Sequence, residues 1–287
     1  MQGVVYVNGT ITPADHAVVP VFDHGFLYGE GVYETLRTYG RVPFAFDAHM
    51  ARLRRSADLI ALDVPMTDEA MLAAVNATIA AGDSPADAEL YIRILLTRGV
   101  GELPYDLSAT PRPTLVIIVR TLKAFPETNY TRGIRVVISG VRRNHPTALN
   151  PMVKSNNLMN TALAMQDGYR RGADEVVLLN HDGFVTECSQ SNIFIVAGGV
   201  VCTPPLDAGL LPGITRALVL QCARDAGVAA EERALTPDEV LNADEVFITG
   251  TTREITPVTT VDDRAIGGGL PGVVTKQLHA RFKALAR

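Results

Sequence analysis

Apolar and polar positions change period along the chain, and the changes mark its elements. VVYVNGTITP holds two β-rich runs around Asn8-Gly9, a dipeptide that accepts positive φ and so predicts a hairpin. Gly25, Gly29 and Gly31 crowd the approach to VYETLRTY, which reads as a strand closed by a turn at Tyr39-Gly40-Arg41. In AFDAHMARLRRSADLIAL the residues Met50, Leu53, Ala57, Ile60 and Ala61 recur at helical spacing, with Asp47 as the expected N-cap. TDEAMLAAVNATIAAG predicts a second helix, capped by Thr67 and stopped by Gly82. ELYIRILLTRG and PTLVIIVRTL read as strands, and the near-continuous apolar run of the latter puts it inside a sheet.

TLKAFPETNYTRG is poor in apolar residues and contains Pro126, which makes it the expected linker. The predicted organisation is a small α+β domain over 1–120, a linker over 121–130 and a larger domain over 131–287. In the second part GIRVVISGVRR reads as a strand and LMNTALAMQDGYRRG as an amphipathic helix. DEVVLLNHDGFVTECSQSNIFIVAGGVVCTPP then alternates short strands with turns, Asp182-Gly183 being the strongest hairpin signal. LPGITRALVLQCARDAG has Pro212 near its start and Gly227 past its end, as a helix should. DEVFITGTTREITPVTTVDD returns to strand, and a helix from about Gly272 to Arg287 closes the chain.

Composition narrows the classes. With 287 residues and 47% hydrophobic content the chain can bury an enzyme-sized core. A net charge of -5 and a pI near 5.7 argue against non-specific polyanion binding, and Arg52, Arg54 and Arg55 form too short a run to change that. Nothing resembles an apolar membrane span or an N-terminal leader, so a cytoplasmic protein is expected. Cys188, Cys202 and Cys222 form no CxxC pair, and the six histidines show no metal-ligand spacing, so neither disulfides nor a metal site are predicted. The GEG around Glu30 lacks the third glycine and the strand-then-helix setting of a dinucleotide fingerprint, and reads as a tight passage into a strand.

Only four of the 26 Lys and Arg residues are lysines. Lys123, Lys276 and Lys283 fall in a Pro-rich connection and a polar helix, where solvated roles suffice. Lys154 lies in NPMVKSNNLMNT, between a turn and an amphipathic helix, where an amine can be held partly out of water. Desolvation favours the neutral amine, and lysine forms Schiff bases as arginine cannot. Taken alone, a solvated loop lysine is the more ordinary reading. The same holds for the other candidates: LPGITR puts Gly213, Ile214 and Thr215 at a helix start that favours anions, and TGTTRE clusters hydroxyls at Thr251 and Thr252, yet helix starts and Thr-rich turns are common. Arg52 in HMARL and Glu187 in VTECSQSNIF are, singly, an exposed arginine and a strand-edge carboxylate.

Order and spacing give these segments more weight together. GEGVYETLR, HMARL, MVKSNN, VTECSQSNIF, LPGITR and TGTTREITPV resemble, over about Gly25 to Val258, the class IV (fold-type IV) pyridoxal-phosphate aminotransferases. That group takes in branched-chain and D-amino acid aminotransferases, R-selective amine transaminases and 4-amino-4-deoxychorismate lyases. The resemblance implies an α+β fold like that of D-amino acid aminotransferase, with a smaller sandwich-like N-terminal domain, a larger domain with a β-barrel-like core, and a homodimer. It implies pyridoxal 5'-phosphate as cofactor, with an amino donor and a 2-oxo acid acceptor as small-molecule partners. Lys154 would join the cofactor covalently and shuttle the proton. Arg52, Ile214, Thr215 and Thr251 would hold its phosphate and Glu187 its pyridine nitrogen, while Tyr33, Arg98 and Thr252 would meet the substrate.

The subgroup stays open. Branched-chain enzymes commonly carry a tyrosine five residues after the lysine, where this chain has Met159. That apolar residue and LLTRGVGEL look more like the D-amino acid and lyase branches, yet the histidine typical of D-amino acid enzymes two residues after Arg98 is Val100 here. KSNNLMNTALA still resembles branched-chain sequences. The preferred expectation is transamination of a branched-chain amino acid, with the lyase, a D-amino acid or R-amine transaminase, and a non-catalytic binding protein as alternatives.

Overall fold

The computed structural model describes residues 3–102 and 105–286 and divides into two compact units. The first comprises Met1–Lys123 and Val153–Asn157, the second Ala124–Met152 and Leu158–Arg287. The mixed architecture with two sheets is the α+β fold the resemblance implies.

In the first unit β1 (Val4–Val7) and β2 (Thr10–Pro13) form the predicted hairpin, with Asn8 at φ 45° and Gly9 at φ 99°. A single turn, α1 (His24–Leu27), leads to β3 (Gly31–Tyr39), which folds back on β4 (Val42–Pro43) through Gly40 and Arg41, both at positive φ. Then come α2 (Phe46–Asp58), α3 (Asp68–Ala80), β5 (Leu90–Thr97) and β6 (Thr114–Thr121). The six strands are antiparallel in the order β2-β1-β6-β5-β3-β4, which places β6 inside the sheet. The pleat sends Leu36, Ile92 and Ile94 to one face, where they pack with Met50, Leu53, Met71 and Val75 of the two helices. Thr67 caps α3 by accepting from the Ala70 N–H, as expected. At α2 the expectation is corrected: the cap position is Ala45, left-handed at φ 51°, and Asp47 lies inside the first turn. There its charge still complements the helix dipole.

The second unit runs through α4 (Thr128–Thr131), β7 (Ile134–Ile138), α5 (Met159–Arg170), β8 (Glu175–Leu179), β9 (Val185–Cys188), β10 (Asn192–Ala197) and β11 (Val200–Thr203). It continues with α6 (Ile214–Asp225), β12 (Ala230–Glu232), α7 (Pro237–Leu241), β13 (Glu245–Gly250), β14 (Glu254–Val261), β15 (Arg264–Ala265) and α8 (Val273–Ala286). Its sheet has the order β12-β11-β10-β13-β14-β7-β8-β9, with β15 on β14, and is half-barrel-like. β7 and β8 are parallel and joined through α5, as are β11 and β12 through α6, because parallel neighbours need a long crossover. Ile134, Val177, Ile193, Ile195, Val246 and Ile248 fill the interior.

Candidate active site

Lys154 is presented by a rigid main chain. Val153 before it is buried in the core of the first unit. The Lys154 N–H donates to Ser56 Oγ at 3.2 Å, and its carbonyl accepts from the Tyr33 N–H at 2.9 Å. The Asn156 N–H donates to the Gly31 carbonyl at 2.9 Å, and Ser155 bridges to Val32, so the segment lies along β3 like an added strand. Gly31 is required for this approach, since a Cβ there would stand 2.6 Å from Asn156 Nδ2. The Lys154 Nζ sits 4.6 Å from the Tyr33 ring centroid, and the Arg93 guanidinium carbon lies 4.0 Å from the same centroid.

Helix α2 adds His49, Arg52 and Ser56, spaced three and four apart and so on one face. Arg52 grips Glu34 of β3 with Nε at 2.7 Å from Oε1 and Nη2 at 2.8 Å from Oε2, while His49 Nδ1 lies 2.7 Å from Oε2. Burial alone drives the Glu34 carboxyl upward, but the Arg52 charge and the Arg52 and His49 hydrogen bonds prevail and hold its pKa at about 2. Burial pushes His49 down, with the Glu34 contact opposing. Its Nε2 is buried with no hydrogen-bond partner among the described residues. Arg98 has a structural position: Nε donates to Glu30 at 3.1 Å, and Nη1 and Nη2 donate to the carbonyls of Ala61 and Ile60 at 3.0 and 2.6 Å. These bonds fix the guanidinium at the exit of α2.

In the second unit Glu187 of β9 is buried and held by three donors. Arg143 Nη2 lies 3.0 Å from Oε1, while the Leu211 N–H and Asn192 Nδ2 donate to Oε2 at 3.1 and 3.4 Å. Asn192 also donates to the Leu211 carbonyl at 3.0 Å. It packs so closely on Gly213 that a Cβ there would fall 1.9 Å from its Oδ1. Gly213 is the N-cap of α6 and gives no side-chain cap, so the N–H groups at Ile214 and Thr215 keep their capacity for an anion. Across the sheet Asn192 pairs with Thr249, two residues before Thr251. Thr251 and Thr252 form the turn between β13 and β14, and the Thr249 and Ser191 hydroxyls close by are buried without hydrogen-bond partners among the described residues. Glu187, Ile214, Thr215 and the Thr251 turn are thus linked through Asn192.

Glu34, His49, Arg143 and Asn192 went unrecognised in the sequence. A histidine, an arginine and a serine on the core-facing side of the amphipathic helix α2 are the signal that the sequence offers there. Arg143 and Asn192 had no such signal, because their partners come from other strands.

The family model described as "Amino-transferase class IV" matches residues 31–261, which contain all of these side chains. The chain belongs to the class IV aminotransferases. As a class IV aminotransferase it is an enzyme of amino-group transfer. A Methanocaldococcus jannaschii protein whose branched-chain-amino-acid aminotransferase name is provisional is 40% identical over 279 residues, 97% of this chain and 95% of that one. The D-alanine aminotransferase of Bacillus licheniformis is 35% identical over 279 residues, with the same coverage of 97% and 95%. The branched-chain amino acid aminotransferase from T.th., solved with pyridoxamine 5'-phosphate, superposes with a TM-score of 0.93 at 29% identity, over 100% of this chain and 94% of that one. The same enzyme is also known in complex with N-(5'-phosphopyridoxyl)-L-glutamate.

Proposed function

We propose that this class IV aminotransferase uses pyridoxal 5'-phosphate to move an amino group between a branched-chain amino acid and a 2-oxo acid. The observation that carries the reading is Lys154, whose amine stands over Tyr33 on a main chain fixed from both sides. The second unit carries groups of the kinds the cofactor needs. The uncapped start of α6 and the unpartnered Ser191 and Thr249 hydroxyls suit a phosphate, and a carboxylate locked by three donors suits a protonated ring nitrogen. Arg52, Ile214, Thr215 and Thr251 would hold the phosphate, Glu187 the nitrogen and Lys154 the reactive carbon; Tyr33, Arg98 and Thr252 would line the substrate side.

Pyridoxal 5'-phosphate, when bound, supplies an electrophilic carbon for the amino group and a ring that accepts electron density. The protein supplies the proton transfers. The Lys154 Nζ would act as a tethered base that takes the proton from the substrate Cα and holds it for return. Glu187 would meet the ring nitrogen through its carboxylate, which the Arg143 bond orients. Tyr33 keeps the amine in place from below through its ring face.

The active form is read as a homodimer, supported by large apolar side chains left exposed on the first unit, among them Phe22 and, in the single turn α1, Phe26. Among the described residues no helix is long and apolar enough to cross a membrane, and the three cysteines are free and buried, which supports a cytoplasmic, reducing setting. A D-amino acid substrate is the second reading, favoured by Met159 and by the D-alanine aminotransferase likeness.

Half-reactions followed by cofactor absorbance separate the readings. L-leucine should convert the cofactor faster than D-alanine, an R-amine or 4-amino-4-deoxychorismate, and fastest conversion by D-alanine would transfer the enzyme to the second reading. Borohydride reduction should fix the label on the Lys154 peptide. A label on Lys123, Lys276 or Lys283 would end the assignment of Lys154.

A further inference from the structure

The turn that carries Thr251 and Thr252 is a three-residue connection, with Gly250 of β13 paired to Glu254 of β14. The strand residue that follows the connection lies in the left-handed region, where glycine is usual because a side chain crowds the following carbonyl. Here that residue is Glu254, at φ 57° and buried. Strained backbone persists where the surroundings over-determine it, and it gathers at ligand clamps.

The surroundings of Glu254 meet that description. His279 of α8 donates from Nε2 to Glu254 Oε2 at 2.9 Å. The His279 ring stacks on Tyr130 with centroids 5.4 Å apart and planes 23° from parallel. Tyr130 of α4 in turn donates its hydroxyl to the Arg253 carbonyl at 3.3 Å, and Thr256 Oγ1 donates to the same carbonyl at 3.0 Å. The two residues that follow Thr252 are therefore pinned from two helices through one stacked His–Tyr pair. A glycine at 254 would satisfy the backbone but would forgo the carboxylate through which α8 grips the turn.

We propose that Glu254 and His279 are positioning residues, through which the C-terminal helix holds the turn in its left-handed closure and so sets the aim of Thr251 at the cofactor phosphate. The inference rests on the reading of Thr251 as a phosphate ligand. It assigns α8 a part in cofactor retention that no contact between α8 and the cofactor would supply.

The test resolves the holoenzyme to the apo form and measures the dissociation constants of pyridoxal 5'-phosphate and of pyridoxal, which lacks the phosphate. His279→Ala should raise the first constant about fivefold or more and leave the second unchanged, and His279→Gln, which keeps a donor, should restore it. Glu254→Gly separates latching from folding, because glycine accepts the left-handed backbone. It should unfold no earlier than the wild type and still lose phosphate-dependent affinity. Wild-type binding of pyridoxal 5'-phosphate by His279→Ala and Glu254→Gly, with Thr251→Ala impaired, would overturn the latch and leave the phosphate reading standing. Wild-type binding by Thr251→Ala would remove the phosphate reading and the latch with it. Equal losses for both ligands would reduce the His279 bond to an anchor for α8.

Discussion

Glu34 is a carboxylate with no exposure to solvent, and only Arg52 and His49 make its charge tolerable. Its folded pKa, about 2, lies below the ordinary 4.5. The sign follows from linkage: the unfolded chain binds a proton near pH 4.5 that the folded protein refuses until about pH 2. The stabilisation is therefore complete above pH 4.5 and lost on the way to pH 2, an amount of roughly 3 kcal/mol. His49, pushed down by burial, tilts the curve the same way from a higher pH, since below about 6.5 the unfolded state gains a proton that the folded state resists. Glu34→Gln should flatten the acid limb of urea midpoints measured from pH 7 to 3. At neutral pH it should cost about 3–5 kcal/mol, because Arg52 loses its buried counter-charge. An unchanged acid limb would show that other carboxylates govern it. Arg52 was legible in the sequence through its motif; Glu34 and His49 were not. Glu34 sits 18 residues from Arg52 and 15 from His49, on a strand whose alternation gives no hint that one inward position is charged.

Elements were the most readable level, because the period of the apolar positions is set by backbone geometry. β5 shows the full alternation of buried and half-buried positions, and α3 begins where Thr67 offers its hydroxyl. α2 begins one residue before the expected cap, because the chain enters it from a hairpin that leaves Ala45 left-handed. The parallel pairing of β7 with both β8 and β14 was beyond reach, since it depends on strands distant in sequence finding one another. Two substitutions separate a local element effect from a coupled one. Thr67→Ala removes one cap bond and should cost about 1 kcal/mol in urea unfolding, with cofactor affinity unchanged. Gly213→Ala places a methyl group against Asn192 and should cost about 1–3 kcal/mol through overpacking. It should also weaken cofactor binding, because Asn192 donates to Glu187. Wild-type cofactor affinity in Gly213→Ala would mean that Asn192 can yield without moving Glu187.

At the scale of the molecule, the return of Val153–Asn157 to the first unit was hidden from a linear reading, because main-chain pairing with β3 decides it and side-chain pattern carries no trace of that. The surface proposed for a homodimer was also concealed by the pattern, as loops and single helical turns are not expected to be apolar. Phe22 is 56% and Phe26 72% exposed, and Val18, Val21, Tyr105 and Leu107 extend the same apolar character. The two segments that carry them are fastened together: Asp23 bridges to Val100, buried His24 donates to the Glu102 carbonyl at 2.8 Å, and the Tyr28 and Tyr105 rings lie 5.0 Å apart. A patch already fixed in shape loses little conformational entropy on association. Fully burying a phenylalanine contributes about 1.5–3 kcal/mol, so the two rings on each of two copies can supply much of a stable contact. A symmetric dimer would use the same patch twice. Phe22→Asp combined with Phe26→Asp should halve the mass seen by light scattering at micromolar concentration, with the circular dichroism spectrum unchanged. A double variant that keeps the wild-type mass would move the interface elsewhere, and a monomeric wild type would dismiss the dimer.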